Sequence, residues 1–299
     1  MSAITVAVYG LGNMGYLVAK RIARVFPLQV FDLSETQLAR AGEAFGAVPI
    51  TAPDELAETR FVVLCLPHPA ASLSVLEQIA PHLPKDAVVI ETSTVNPADM
   101  ERSAQVLAPH GIALIDASIL AGVSQMAAGT ASLLLGGERA AIEAAQPVLD
   151  SIAEKQIVFG ELGTGAAAKV INNAVAHAVM VVVAEAGAMA TAGGVDIERL
   201  VGLLSDEQMG LHRPLTYRYV ERVAKGDYEG GMPLNAARKD SELALALAQS
   251  QRVPLFAIQA CHSVYEIGVG AGYGREDYAA IAKLWAKWGA PSVPVNDFD

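Results

Sequence analysis

Short apolar runs alternate with amphipathic segments along the first half of the chain. The runs ITVAVY at 4–9 and RFVVLCLP at 60–67 are rich in β-branched residues and are typical of buried strands. The segment between them that begins NMGYLVAKRIARV places apolar residues at helical spacing. Further strands are predicted at 27–32, 87–93, 112–118, 130–137 and 155–163. Because strands recur with helices between them, the pattern predicts βαβ units and a parallel sheet covered on both faces.

The pattern changes near residue 160, after which no convincing strand follows. Residues 165–194 form an Ala- and Val-rich stretch, and because Ala favours helices we expect one long buried helix there. Shorter helices are predicted at 196–204, 214–225, 234–251, 254–269 and 276–288. The chain is therefore expected to have an α/β domain over 1–162 and an all-helical domain over 163–299, joined by the long interdomain helix.

Composition sharpens this outline. The 299 residues are 53% hydrophobic with a mean hydropathy of +0.35, which predicts large buried helices or a sizeable interface between subunits. The net charge of −11 disfavours a nucleic-acid partner, because a phosphate backbone attracts a basic surface. The most apolar stretch, 175–194, is interrupted by His177 and Glu185, so we expect no membrane span.

The two cysteines and the first residues bear on location. Cys65 and Cys261 lie far apart and form no metal-binding spacing, so no metal site is predicted. Cys65 is read as a small apolar core residue. The beginning of the chain shows no basic segment followed by an apolar core and a cleavage site. Together these features predict a reduced, cytoplasmic protein.

The six residues GLGNMG at 10–15 follow a predicted strand and open a predicted helix. Their G-x-G-x-x-G spacing in this context is the dinucleotide-binding fingerprint of a Rossmann-type domain. Gly10 permits the tight turn, Gly12 lets the backbone approach a pyrophosphate, and Gly15 allows the helix to pack on the sheet. The helix N-terminus offers free N–H groups to an anion. The predicted cofactor-binding residues here are Gly10, Leu11, Gly12, Asn13, Met14 and Gly15.

Asp32 ends the second predicted strand, 22 positions after Gly10, and indicates which nucleotide binds. A carboxylate there accepts hydrogen bonds from both ribose hydroxyls and repels the additional 2′-phosphate of NADP. The following residues, LSETQ, supply no arginine for that phosphate. The sequence favours NAD over NADP. If Asp32 instead caps the next helix, for which Ser34 is also a plausible N-cap, the preference stays open.

The stretch GTGAAAKVINN at 163–173 opens the long helix and carries the candidate chemistry. Gly163 and Gly165 are expected to give a flexible entry, and Lys169, Asn172 and Asn173 share one face. A lysine on such a stripe suits a general acid/base that takes the proton of an alcohol during hydride transfer. The alternative is a lysine at a domain seam, and His177 on the same side is read as an ordinary core histidine.

Four motifs in this order resemble the β-hydroxyacid dehydrogenases, from about residue 4 to residue 288. They are GLGNMG, DAS…AG, GTGAAAKVINN and RKDSELALAL. The resemblance implies that Lys169 is the general acid/base and that Asn173 binds substrate beside it. It also implies that Leu66, Pro67, Thr94 and Lys239 contribute to the cofactor side, with Asp240 supporting Lys239. Lys239 and Asp240 would otherwise be read as a solvated helix-face pair. The resemblance further implies a homodimer or homotetramer.

One loop departs from the family pattern. The substrate loop normally reads D-A-P-V-S-G-G, whereas this chain has DASILAG at 116–122. Leu120 replaces the serine and Ala121 the first glycine, so the N–H groups of Ala121 and Gly122 are the donors expected to remain. An apolar side chain in place of a hydroxyl predicts a substrate bulkier or less polar than 3-hydroxyisobutyrate. If Leu120 turns away, His212 and Arg213 in the helical domain are alternative sources of a cation.

Three functions are compatible with these residues. The leading one is NAD-dependent oxidation of a 3-hydroxyacid, or reduction of the matching aldehyde or ketone. Imine reductases share the two-domain build but usually carry Asp or Tyr where Lys169 stands, so Lys169 disfavours them while Leu120 favours them. A protein that binds NAD without catalysis is the third, and the complete lysine motif disfavours it.

Overall fold

The computed structural model describes residues 5–295 and divides into two compact units. Unit 1 is Met1–Ala174 and unit 2 is Val175–Asp299. The division falls within a helix that begins at Thr164, whereas the sequence places the domain boundary between residues 162 and 163, just before that helix.

Unit 1 is built on one eight-stranded sheet in the order β3-β2-β1-β4-β5-β6-β7-β8. The strands are β1 Thr5–Tyr9, β2 Leu28–Phe31, β3 Val48–Pro49, β4 Thr59–Leu64, β5 Val88–Glu91, β6 Ala113–Leu120, β7 Ser132–Gly136 and β8 Lys155–Gly160. All neighbours pair in parallel except β6 and β7, which are antiparallel, with Asp116 opposite Gly136. The expectation of a wholly parallel sheet is wrong at this pair, because the link from β6 to β7 holds only a short helix and cannot make a full crossover.

Helices cover both faces of the sheet. They are α1 Asn13–Ile22, α2 Glu35–Phe45, α3 Pro69–Ile79, α4 Pro97–Leu107, α5 Val123–Ala128 and α6 Arg139–Ile152. Ser34 caps α2 by accepting the Gln37 N–H at 3.4 Å, which confirms the predicted cap. Two apolar clusters, one on each face, pack these helices against near-continuous buried strands such as β5. The fold is therefore the expected doubly covered α/β domain.

Unit 2 is helical. The long helix α7, Thr164–Ala192, starts in unit 1 and ends in unit 2. The further helices are α8 Ile197–Ser205, a π-helix Pro214–Val223, α9 Leu234–Gln251, α10 Ala257–Gly270 and α11 Lys283–Lys287, with a 3₁₀ turn at Tyr278–Ala282. Within residues 175–295 the only β pairing is an isolated bridge between Pro233 and Asp277. The all-helical second part of the chain is confirmed.

The long helix α7 is not buried within one chain, so that expectation is wrong. By length and composition it is apolar enough to cross a membrane, and only 11% of its most apolar 18-residue window is buried. Ile171, Val175 and Met180 are 63%, 59% and 62% exposed. Exposed apolar side chains gathered along one helix in this way are typical of a contact surface.

Candidate active site

The glycine turn between β1 and α1 is fixed by two close approaches. Gly10 has φ +95°, and a Cβ there would overlap the Cys65 carbonyl. A Cβ on Gly15 would overlap the Gly10 carbonyl, which lets α1 pack directly on the turn. Both glycines are therefore required by the fold itself.

Gly12 has a different role, because nothing in the chain forbids a side chain there. A Cβ on Gly12 would have no atom within 4 Å, and its φ is −62°. Gly12 is the N-cap of α1, and no side chain caps that helix. Open space in front of uncapped N–H groups fits the phosphates of a dinucleotide.

An open cleft of about 710 Å³ lies beside this turn, at the carboxyl ends of β1, β2 and β4. Among the predicted cofactor residues, those that line it are Gly10, Gly12, Asn13, Met14, Gly15, Asp32, Leu66 and Pro67. Leu11 is fully buried behind the turn, and Thr94 is exposed and does not line the cleft. The carboxyl edge of the strands is where α/β sheets bind ligands.

Asp32 joins the end of β2 to the glycine turn. Its Oδ2 accepts the Leu11 N–H at 2.6 Å, and its Oδ1 accepts the Ser34 N–H at 2.8 Å. Ser34 is the side-chain cap of α2, so Asp32 does not serve as that cap. Each carboxylate oxygen keeps a lone pair for a further donor such as a ribose hydroxyl.

Sequence reasoning missed two supports of the cleft. Ser93 follows β5, and its Oγ accepts the Leu66 N–H at 2.8 Å, which ties the loop after β4 to its neighbour. The buried Glu91 in turn accepts the Ser93 N–H at 2.8 Å. Cys65 is partly buried and also lines the cleft, and burial raises the pKa of its thiol to about 11, so the thiol stays protonated.

The start of α7 is held rigidly, so the expected flexible entry is wrong. Gly163 has φ +91°, and its N–H donates to the buried Asp116 at 2.6 Å. The Ala166 N–H donates to the other Asp116 oxygen at 2.7 Å. A Cβ on Gly165 would lie 2.6 Å from Asp116 Oδ2 and would overlap the Leu134 carbonyl. Asp116 on β6 thus caps the N-terminus of α7. In the sequence, the only indication that Asp116 has a special role is its place in the motif DAS at 116–118.

Lys169 lies one turn further along α7. Its side chain is half-buried, and burial lowers the pKa of its ammonium. Among residues 5–295 no carboxylate pairs with it. Asn173 follows on the same face with partial burial, whereas Asn172 and His177 are exposed. Reading His177 as a core histidine is therefore wrong in the single chain.

Leu120 ends β6 and turns into an open apolar pocket of about 500 Å³ on the flank of α7. The pocket is lined by Leu120, Leu134, Ile157, Phe159, Thr164, Ala167, Ala168, Ile171 and Asn172. The Gly122 N–H donates to Gln125 Oε1 at 2.8 Å as the N-cap of α5. The expectation that this N–H is free for a substrate is wrong, because the unforeseen helix α5 uses it.

The site residues that were predicted in the second half of the chain, Lys239, His212 and Arg213, lie in unit 2. Lys239 on α9 is exposed and pairs with the neighbouring Asp240 at 3.0 Å. His212 is exposed, and the Arg213 guanidinium stacks 4.3 Å from the centre of the Tyr217 ring. The cofactor role of Lys239 stays a prediction.

Two family models match the chain. Residues 5–160 match the NAD binding domain of 6-phosphogluconate dehydrogenase, and residues 163–285 match the NAD-binding domain of NADP-dependent 3-hydroxyisobutyrate dehydrogenase. The fold, the glycine cleft and these matches together define a nicotinamide-dinucleotide-dependent oxidoreductase. The chain belongs to the β-hydroxyacid dehydrogenase family, whose members oxidise CH–OH groups of small molecules.

Known relatives span the whole chain. It is 27% identical to 2-(hydroxymethyl)glutarate dehydrogenase of Eubacterium barkeri, over 97% of this chain and 98% of the relative. It is 31% identical to L-threonate dehydrogenase of Cupriavidus necator, over 94% and 95%. An imine reductase structure from Pseudomonas sp. aligns with a TM-score of 0.83 at 22% identity, over 94% and 99%, and shares the fold.

Proposed function

We propose that this protein is an NAD-dependent dehydrogenase of a 3-hydroxyacid, in which Lys169 is the general acid/base. The observation that carries the proposal is the state of Lys169. It is a half-buried ammonium with a lowered pKa and no carboxylate partner among the described residues. A structural lysine is usually paired or solvated, whereas a proton-transferring one needs a pKa near the working pH.

The chain's own residues supply the proton chemistry of the oxidation. When bound, NAD supplies the carbon that accepts the hydride. Lys169 Nζ, as the neutral amine, takes the proton of the hydroxyl as the carbonyl forms, and in the reverse direction it returns that proton. Asn173, one turn along the same face, is suited to hold the substrate oxygen in line. Asp116 fixes the helix that carries both side chains.

Replacing the lysine tests this role. Lys169→Ala is expected to lower turnover by ~10²-fold or more while NAD affinity stays within about twofold, since proton transfer contributes 10²–10⁴-fold. Lys85→Ala is the matched control, because Lys85 is an exposed lysine of the same unit. Unchanged turnover in Lys169→Ala removes the lysine from the mechanism.

The choice of NAD over NADP rests on the cleft. Asp32 carries a negative charge where a 2′-phosphate would lie, and no Lys or Arg is among the described residues that line the cleft. A phosphate dianion beside an uncompensated carboxylate is repelled. Asp32→Ala is expected to narrow the ratio of kcat/KM with NAD to that with NADP. An unchanged ratio means that Asp32 does not read the ribose.

The apolar Leu120, in place of the serine of the family pattern, supports a substrate bulkier or less polar than 3-hydroxyisobutyrate. A spectrophotometric screen of 3-hydroxyacids, including branched and aromatic ones, with NAD and NADP in parallel tests this. Highest kcat/KM with the smallest, most polar acids contradicts the proposal.

Reduction of imines is the second candidate. Leu120 favours it, because an imine substrate needs no carboxylate-binding hydroxyl. Lys169 disfavours it. Cyclic imines offered with NADH and NADPH separate the two candidates, since Lys169→Ala should abolish hydroxyacid oxidation without a matching loss of imine reduction.

We also propose that the protein is a cytoplasmic homodimer or homotetramer in which a second copy covers α7. The exposed Ile171, Val175 and Met180 support this proposal, because apolar side chains gathered on one helix are typical of a contact surface between subunits. Met180→Glu should lower the mass measured by light scattering without detergent. Val25→Glu, at a residue 62% exposed on unit 1, should leave the mass unchanged. A monomeric wild-type protein contradicts the proposal.

A further inference from the structure

Three arginines gather on one tyrosine in unit 2. The guanidinium carbons of Arg213, Arg218 and Arg222 lie 4.3, 4.7 and 5.5 Å from the centre of the Tyr217 ring. The cause is the π-helix Pro214–Val223, whose i→i+5 hydrogen bonds bring residues five apart onto one face. Arg213 with Arg218, and Tyr217 with Arg222, are such pairs. Stretches of π-helix are rare and are frequently found at functional sites.

Two of the three guanidiniums have carboxylate partners. Arg218 lies 3.1 Å from the fully buried Asp277, and both side chains are almost inaccessible. Arg222 lies 3.5 Å from Asp227, and it also donates to the Tyr217 hydroxyl at 3.1 Å. These contacts account for the charges of both arginines.

Arg213 differs from the other two. Among residues 5–295 it makes no ion pair and donates no hydrogen bond, and it stacks on the face of the Tyr217 ring. Stacking fixes the plane of the guanidinium, while its N–H groups along the edge keep their hydrogen-bonding capacity. The cluster of three arginines and two aspartates therefore carries one surplus positive charge, on a preorganised donor.

We propose that Arg213, stacked on Tyr217, is a binding site for a single carboxylate group. A guanidinium fork matches a carboxylate in a bidentate arrangement. A phosphate dianion is disfavoured, because the surplus is one positive charge and Asp227 lies in the same cluster. The site does not depend on the reaction proposed above, since it concerns unit 2 alone and is measurable without cofactor or turnover.

Direct titration tests the site. In a buffer free of carboxylate and phosphate, we expect acetate and 3-hydroxypropionate to cause saturable shifts of one arginine Nε–H signal in an NMR spectrum of ¹⁵N-labelled protein. That signal should be absent in Arg213→Lys. Inorganic phosphate at equal concentration and ionic strength should bind at least several-fold more weakly.

Two pairs of variants separate the site from general electrostatics. Arg213→Ala is expected to weaken acetate binding by about tenfold or more, as for a lost charge-assisted hydrogen bond. Arg139→Ala, at an exposed arginine of unit 1, should leave it unchanged. Tyr217→Phe keeps the stacking ring and should keep binding, whereas Tyr217→Leu removes the ring and should weaken it.

Steady-state kinetics distinguish the source of the carboxylate. If Arg213→Ala raises KM for a hydroxyacid with kcat unchanged, the site takes the substrate's carboxylate. If binding is lost with both constants unchanged, it takes a carboxylate effector, and either result supports the site. An absence of saturable binding in the wild-type protein, or equal binding in Arg213→Ala, overturns the proposal even if dehydrogenase activity is intact.

Discussion

Gly165→Ala tests whether close packing, not flexibility, sets the start of the lysine helix. The added Cβ would lie 2.4 Å from the Leu134 carbonyl oxygen and 2.6 Å from Asp116 Oδ2, whereas ordinary contact begins at 3.4 Å, so α7 and its neighbours must separate by about 1 Å. Such overpacking costs ~1–3 kcal/mol. Weakening the buried hydrogen bond from the Ala166 N–H to Asp116 costs a further ~1.5–3 kcal/mol. The helix preference of Ala over Gly returns about 1 kcal/mol.

The net destabilisation is about 1.5–5 kcal/mol, which corresponds to a fall in Tm of roughly 3–20 °C for a unit of this size. Circular dichroism of the cofactor-free protein during heating measures it. Gly42→Ala is the matched control in the same unit, because it lies inside α2 and its Cβ would contact only the Ala47 carbonyl at 3.5 Å. That control should raise Tm slightly. A Gly165→Ala protein that melts at or above the wild-type temperature refutes the packing argument.

Three further predictions follow from the site and from unit 2. Gly12→Ala should change the free energy of unfolding by less than about 1 kcal/mol yet weaken NAD binding about tenfold or more by calorimetry, because only a ligand occupies that space. Burial lowers the pKa of Lys169, whose neutral amine is the base in oxidation. The kcat/KM for oxidation should therefore increase with pH, with a midpoint below the ordinary lysine pKa of about 10.4. The kcat/KM for reduction should decrease over the same pH range. Burial opposes ionisation of Glu185, but hydrogen bonds from three N–H groups at the start of α10 outweigh it and lower the pKa of the carboxyl group. Glu185→Gln should therefore lower the free energy of unfolding, measured in urea, by about 1–2 kcal/mol. That difference should shrink as the pH falls below the ordinary Glu pKa of about 4.3, because the stabilisation is lost as the wild-type carboxylate takes up its proton.

Local patterns predicted most of the elements. Runs such as VVIE in β5 are apolar throughout, because strands covered on both faces bury every side chain. The antiparallel direction of β7 was not predicted. Strand direction depends on how the connecting segment crosses the sheet, and it produces no periodic pattern in the sequence. The two-residue β3 and the six-residue α5 are too short to produce a pattern.

The sequence predicted those parts of the site whose residues lie close together along the chain. The glycine turn and Asp32 lie within one βαβ unit, so their spacing determines their proximity. Asp116 and Gly163 are 47 positions apart, and their hydrogen bond is a property of the folded sheet. For the same reason, the exposure of α7 could not be read from its apolar composition.

The altered substrate loop, with Leu120 in place of a serine, weakens hydrogen bonding to a substrate carboxylate and strengthens apolar contact with the rest of the substrate. Without the serine hydroxyl, and with the Gly122 N–H bonded to Gln125, a substrate carboxylate loses about 1.5–3 kcal/mol of hydrogen bonding at this loop. A substituent that buries about 100 Å² of apolar surface against the Leu120 side chain and its neighbours gains about 2.5 kcal/mol, at ~25 cal/mol per Å². The two terms cancel for a bulky hydroxyacid but not for a small one, so kcat/KM should favour the bulky acid by roughly 10- to 100-fold. Leu120→Ser should reverse that preference, because it restores the hydroxyl and removes an apolar wall; an unchanged ratio would mean that this loop does not select the substrate.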